Sequence, residues 1–189
     1  MAVPRAHLDR LYAATDDPWD FRASAYEAAR FAATFSALPR VRYSHALELG
    51  CGNGELARRI APRCAAYTGV DAVKEALAAA HIAVPGGQFV QAFLPCPLPD
   101  AEYDLILLSE ILYFLDKGGL RDVAQQIDAR WPAADVVAVT WLGPSGNPIE
   151  GNEAVSCFAK STRRCSVPAP PGDALHRIDL FLPLEEPRT

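Results

Sequence analysis

The residues most able to do chemistry sit in Glu48-Leu49-Gly50-Cys51-Gly52-Asn53-Gly54 and at Asp71, Glu110 and Tyr113. Three glycines within five residues let the chain turn tightly and leave bare backbone against a ligand. The apolar run Ala46–Leu49 before them reads as a strand, and Leu56 and Ile60 after them as a helix. A ligand is therefore expected at the carboxyl end of that strand, where doubly wound sheets bind nucleotides. Asp71 ends the next strand, Ala66–Val70, where a carboxylate can accept both hydroxyls of a ribose.

The dinucleotide fingerprint G-x-G-x-x-G is not met. Its third glycine position is Glu55, and a glutamate at a helix N-terminus repels a pyrophosphate. S-adenosylmethionine (SAM) carries a sulfonium, an amino group and a carboxylate but no phosphate, so acids beside the loop suit it. Glu48 fits an acceptor for its cationic amino-acid end, directly or through water. An NAD-dependent oxidoreductase shares the Asp71 geometry and stands as an alternative. So do an O-methyltransferase of a small metabolite and a SAM-binding subunit without activity.

Glu110 follows the fourth strand and is the candidate base or amine-orienting acid, with Tyr113 beside the transfer site. Trp141 ends the fifth strand at the same edge and could wall an acceptor pocket, as could Trp19 from an otherwise polar segment. His7, His45, His81 and His176 show no metal-ligand spacing and read as surface or strand-end residues; His176 alone merits testing as a proton acceptor. Cys51, Cys64, Cys96, Cys157 and Cys165 are scattered, so reduced packing thiols are expected rather than a disulfide framework or a metal site.

These residues need a scaffold. Helix signals appear near Leu8–Tyr12 and over Ala25–Leu38, where Ser24 and Glu27 form a capping box and Pro39 ends the run. Further helices are expected over Val73–Ile82, Gly118–Trp131 and Glu153–Lys160, and further strands over Gln88–Val90, Tyr103–Leu108 and Asp135–Trp141. Leu94–Pro99 is too proline-rich for a helix. Ser166–Gly172 reads as a loop, and Arg177–Leu182 as a last, edge-type strand. The alternation implies one α/β domain over residues 1–189: a Rossmann-like doubly wound sheet, residues 41–189, behind an N-terminal helical cap, residues 1–40.

At these residues the sequence resembles the class I SAM-dependent methyltransferases, whose motifs align with Glu48–Gly54, Asp71 and Tyr103–Leu115. Asp17-Pro18-Trp19-Asp20-Phe21, Ser24–Glu27 and Asn147–Ala154 further resemble the nodulation protein S family, which N-methylates the glucosamine end of chitooligosaccharides. The resemblance implies an N-terminal helix over the cofactor, with Trp19 and Tyr26 near its methionine end, and an antiparallel last strand. It implies a cofactor set of Trp19, Tyr26, Arg30, Glu48, Gly50, Cys51, Gly52, Asn53, Asp71, Ala72, Gln91, Ala92, Phe93, Ser109 and Glu110. Gln91 stands where the family usually has Asp facing adenine, and Arg30 where Lys is expected. Ser161–Pro171 is compressed, so the acceptor can differ from a chitooligosaccharide. An amine acceptor, a small molecule or a saccharide, is the expectation.

Composition narrows the partners. The 189 residues carry a formal net charge of -5, which argues against a broad phosphate-binding face and an anionic membrane surface. No run of about 18 apolar residues appears, and the N-terminus lacks the apolar core of a secretory signal. The cytoplasm is the expected compartment, with no nucleic acid, membrane or metal partner; the oligomeric state is not written in the sequence.

Overall fold

The computed structural model describes residues 3–169 and 175–184. Seven strands form one sheet in the order β3-β2-β1-β4-β5-β7-β6. These are β1 Tyr43–Leu49, β2 Cys64–Asp71, β3 Gln88–Gln91, β4 Leu105–Ser109, β5 Asp135–Trp141, β6 Cys165–Pro168 and β7 His176–Leu182. The first five pair in parallel, and β7 runs antiparallel to both β5 and β6. Strand order reverses between β1 and β4, so the crevice at their carboxyl ends is the expected ligand position.

Side-chain alternation divides the sheet between two cores. Leu47, Leu49, Ile106, Leu108, Val136 and Ala138 face one side, under α5 (Lys117–Arg130) and α6 (Gly151–Ser161). Ala46, Leu105, Leu107, Val137 and Val139 face the other, under α2 (Ala25–Ala37) and α3 (Glu55–Ile60). Every residue of β4 is buried, which explains its nearly unbroken apolar sequence. α4 (Lys74–Ala83) packs beside α3 and β3, and α1 (Arg5–Tyr12) lies over the carboxyl edge.

The structure corrects two expectations at the far edge. Of the expected loop Ser166–Gly172, Ser166–Pro168 belong instead to strand β6, Cys165–Pro168, which covers β7, so that β7 lies one strand in from the edge. Arg164 makes that possible. Its buried guanidinium donates to Asp128 Oδ1 at 3.0 Å, to the Trp131 carbonyl at 2.6 Å and to the Ala134 carbonyl. The chain thus enters β6 tied to the end of α5. Residues 170–172 of the expected loop lie outside the described residues.

The capping box at α2 is half formed. Ser24 Oγ accepts from the Glu27 backbone N–H, but the Glu27 carboxylate turns to Arg30 instead of back to Ser24. The fourth strand starts two residues later than expected and includes Ser109. Pro62 sits in a 3-10 turn, Ala61–Arg63, that leads from α3 into β2.

Candidate functional site

A cavity of about 600 Å³ opens at the carboxyl ends of β1, β2, β4 and β5. The glycine loop forms its floor. Gly50, Gly52 and Gly54 all have positive φ, and a Cβ on Gly50 would lie 2.6 Å from the Ser109 carbonyl oxygen. Only glycine therefore brings β1 this close to β4 at the turn.

Asp71 enters the cavity from the end of β2. Its Oδ2 accepts the Gly52 N–H at 2.9 Å and its Oδ1 the Val73 N–H at 3.0 Å. Those bonds fix the carboxylate and leave each oxygen a further lone pair for ligand hydroxyls. Burial raises its pKa, opposed by the backbone donors.

Glu48 lies behind the loop, fully buried, and accepts the Tyr67 hydroxyl on Oε2 at 2.8 Å. Burial, the largest influence, pushes its carboxyl up to about 7. Glu48 Oε1, Asn53 Oδ1 and Arg30 Nη1 are buried without hydrogen-bond partners, and all three residues border a space of about 30 Å³ next to Gly50 and Ser109.

A second group of polar side chains is built around Arg30, which is 2% exposed on α2. Its Nε donates to Glu27 Oε2 at 2.8 Å, and its Nη1 lies 3.3 Å from Glu110 Oε1. Glu110 Oε2 accepts both the Tyr113 hydroxyl at 2.9 Å and the Trp141 backbone N–H at 2.8 Å. Glu110 holds φ 53, a left-handed conformation costing on the order of 1–3 kcal/mol in a non-glycine residue. The strain aims its carboxylate back at Arg30. Burial raises the Glu110 pKa, and the Arg30 charge pulls against that rise.

Aromatic rings close the top. Tyr12 on α1 packs edge-on to Trp19 with centroids 5.5 Å apart, and Trp19 stacks on Phe21 at 5.7 Å. Asp17 Oδ1 accepts the Asn53 side-chain amide at 3.0 Å, latching this cap to the glycine loop. The Val3 N–H donates to the Phe114 carbonyl at 3.0 Å and pins the start of the cap across the opening.

Of the residues expected to touch a cofactor, Trp19, Tyr26, Arg30, Gly50, Gly52, Asp71, Ala72, Ala92, Phe93, Ser109 and Glu110 line the cavity. Glu48, Cys51 and Asn53 stand one layer back, around the smaller space. Gln91 does neither; it is exposed and donates its amide to the Ala72 carbonyl at 3.0 Å. Tyr113 and Trp141 line the same cavity. Sequence reading missed Tyr12 and Phe21 as cavity walls and Glu27 as a second cavity-lining acid beside Arg30. Tyr12 sits four residues after Leu8 and read as ordinary helix packing; Glu27 read as a cap.

A family model described as nodulation protein S (NodS) matches residues 5–129. The chain belongs to the nodulation protein S family. Nodulation protein S of Sinorhizobium fredii is 28% identical over 160 residues, covering 79% of this chain and 67% of the relative. That of Bradyrhizobium diazoefficiens is 30% identical over 117 residues, covering 59% of this chain and about half, 53%, of the relative. Among solved structures, the N-methyltransferase NodS of Bradyrhizobium japonicum, in complex with S-adenosyl-L-homocysteine (SAH), shares the fold with a TM-score of 0.79 at 19% identity. It covers 96% of this chain and 99% of that one. A putative methyltransferase from Pseudomonas syringae gives a TM-score of 0.71 at 29% identity, covering 84% of this chain and 99% of that one. The chain is accordingly a SAM-dependent methyltransferase of the NodS family.

Its residues fit that cofactor. A zwitterionic amino-acid head needs both a donor and an acceptor; Glu48 Oε1 is buried without a hydrogen-bond partner, and Arg30 Nη1, likewise without a hydrogen bond but 3.3 Å from Glu110 Oε1, borders the same small space. Asp71 provides the acceptor that a ribose requires. Glu55, the buried first residue of α3, places a carboxylate where a pyrophosphate would need donors. No helix among the described residues is long and apolar enough to cross a membrane.

Proposed function

We propose that this enzyme methylates an amine nitrogen on a small-molecule or saccharide acceptor. The observation that carries this reading is the pair of carboxylates, Glu27 and Glu110, facing the acceptor end of the cavity around one arginine. Two acids and one buried cation leave a net negative charge there. Such a field attracts an ammonium and orients amine N–H groups, whereas it opposes formation of an alkoxide nucleophile.

SAM, when bound, supplies a methyl group already activated by a sulfonium. The protein's work is then positioning. Asp71 holds hydroxyls at the nucleoside end, and Ala72, Ala92 and Phe93 line the cavity nearby. Arg30 and Glu48, with the loop residues Gly50, Cys51, Gly52 and Asn53, receive the charged amino-acid head. Glu110 acts as the amine-orienting acid rather than as a strong base, because its oxygens already accept two hydrogen bonds and face Arg30. Tyr113, Trp141 and Trp19 wall the acceptor, and the cap formed by α1 and residues 13–24 excludes water.

Incubation of the protein with SAM and either glucosamine oligosaccharides or their fully N-acetylated counterparts tests the reading. SAH should form with the free amines, and mass spectrometry should place the methyl on nitrogen. Equal turnover of the acetylated oligosaccharides, or methyl found on oxygen, would refute it.

A further inference from the structure

An amine that attacks a methyl donor must lose a proton, and the carboxylates facing the cavity are poorly placed to take it. Asp71 accepts two backbone N–H groups, Glu27 is held by Arg30, and Glu110 accepts from Tyr113 and Trp141 while facing Arg30. Each therefore already has its oxygens engaged by neighbouring donors, which leaves poor geometry for taking a proton from the acceptor. An imidazole stands nearby. His176, the first residue of β7, is 4% exposed and outside the cavity wall. Its Nδ1 lies 3.2 Å from the Tyr26 hydroxyl, and Tyr26 does line the cavity.

The dyad is fixed from several sides. Ser24 starts α2 one residue before Ala25 and so sets where Tyr26 projects in the first turn. The Tyr26 ring packs edge-on against Trp141 at 5.9 Å and against His176 at 5.8 Å. Trp141 and His176 are register partners across β5 and β7. The Trp141 backbone N–H in turn binds Glu110, so the dyad adjoins the acid that orients the acceptor.

We infer that Tyr26 and His176 form a proton relay for the acceptor amine. This rests on the amine reading above. The acceptor nitrogen's lone pair forms the new N–CH3 bond as the C–S bond breaks and its electron pair stays on sulfur, giving SAH. The nitrogen, now carrying positive charge and an extra proton, passes that proton to the Tyr26 oxygen while the Tyr26 proton moves to His176 Nδ1. After product leaves, the imidazolium returns its proton through Tyr26 to water in the cavity. In this relay Tyr26, which lines the cavity, is the residue that meets the acceptor; His176 is a positioning residue that acts through it.

Charged groups from several elements surround the dyad. From α2 these are Glu27 and Arg30, and from the β4 side Glu110 beneath Trp141. On β7 the neighbouring Arg177 is tied to Asp179 and Asn152. The relay needs the Nδ1 lone pair to receive the proton that leaves Tyr26.

The test uses Tyr26→Phe, which keeps the ring and its packing, and His176→Gln. SAM affinity is measured by calorimetry, which also reports folding, and kcat is measured across pH with glucosamine oligosaccharides. Both variants should bind SAM within about threefold of the parent, and each should lose about 10²-fold or more in kcat. The pH profile of kcat should differ in shape between the parent and His176→Gln, whose amide cannot take up the proton. The relay is overturned if both variants keep kcat within threefold, or if the loss appears in SAM affinity, which would make Tyr26 a cofactor ligand only. Should the parent itself methylate no amine, the amine reading fails first, and that outcome is recognised without either variant.

Discussion

Replacing Glu48 with Gln should make the protein more stable at neutral pH and worse at its task. Glu48 is fully buried, and its carboxyl is pushed from an ordinary 4.5 to about 7. Below the unfolded value the group is protonated in both states and carries no penalty. Between the two values the unfolded chain releases the proton and the folded protein keeps it, so stability falls as pH rises. At about 1.4 kcal/mol per pH unit, the full penalty above pH 7 is on the order of 3 kcal/mol. Gln preserves shape and removes that slope. Urea unfolding from about pH 5 to about pH 8.5 should show the variant gaining on the parent by roughly 2–3 kcal/mol across the range. SAM affinity should drop about tenfold or more, as expected for loss of a charge-assisted hydrogen bond. Parallel stability curves would show that Glu48 titrates normally, and the argument from its burial would fail.

Three further perturbations probe the rest of the site. Gly50→Ala forces a Cβ to 2.6 Å from the Ser109 carbonyl at φ 80 and should cost at least about 2 kcal/mol, measured by thermal unfolding. Arg30→Met strands Glu27 and Glu110 and should cost about 3–5 kcal/mol at neutral pH. That loss should shrink toward acid pH, because the Glu110 carboxyl, already raised by burial, loses the charge that opposed the rise. Asp71→Asn should weaken SAM binding by about tenfold or more, seen by calorimetry, since each oxygen now serves both the backbone and a ligand.

The sequence and the structure agree most where local chemistry dictates shape. Three glycines between an apolar run and a helix have few other solutions, and Asp71 follows from the end of the next strand. The two-sided burial of β4 was legible as an unbroken apolar run. Edge structure was not: Cys165–Pro168 has no exposed–buried alternation and ends in proline, and it is a strand because Arg164 anchors it to α5. The acceptor end was legible only as separate residues. Arg30 and Glu110 are eighty positions apart, and Tyr26 and His176 are 150 apart. No spacing rule links them; the crossing of α2 over the sheet edge does. Glu110's left-handed backbone, which turns it toward Arg30, has no sequence signature in a glutamate.

The most direct test of the account is calorimetric titration of the purified protein with SAM, SAH and NAD, with Asp71→Ala as control. Binding of both sulfur nucleosides, no binding of NAD and loss of binding in the control are the expected results. A folded protein that binds neither SAM nor SAH, or that binds NAD instead, would contradict the assignment of the glycine loop and Asp71 to a methyl donor.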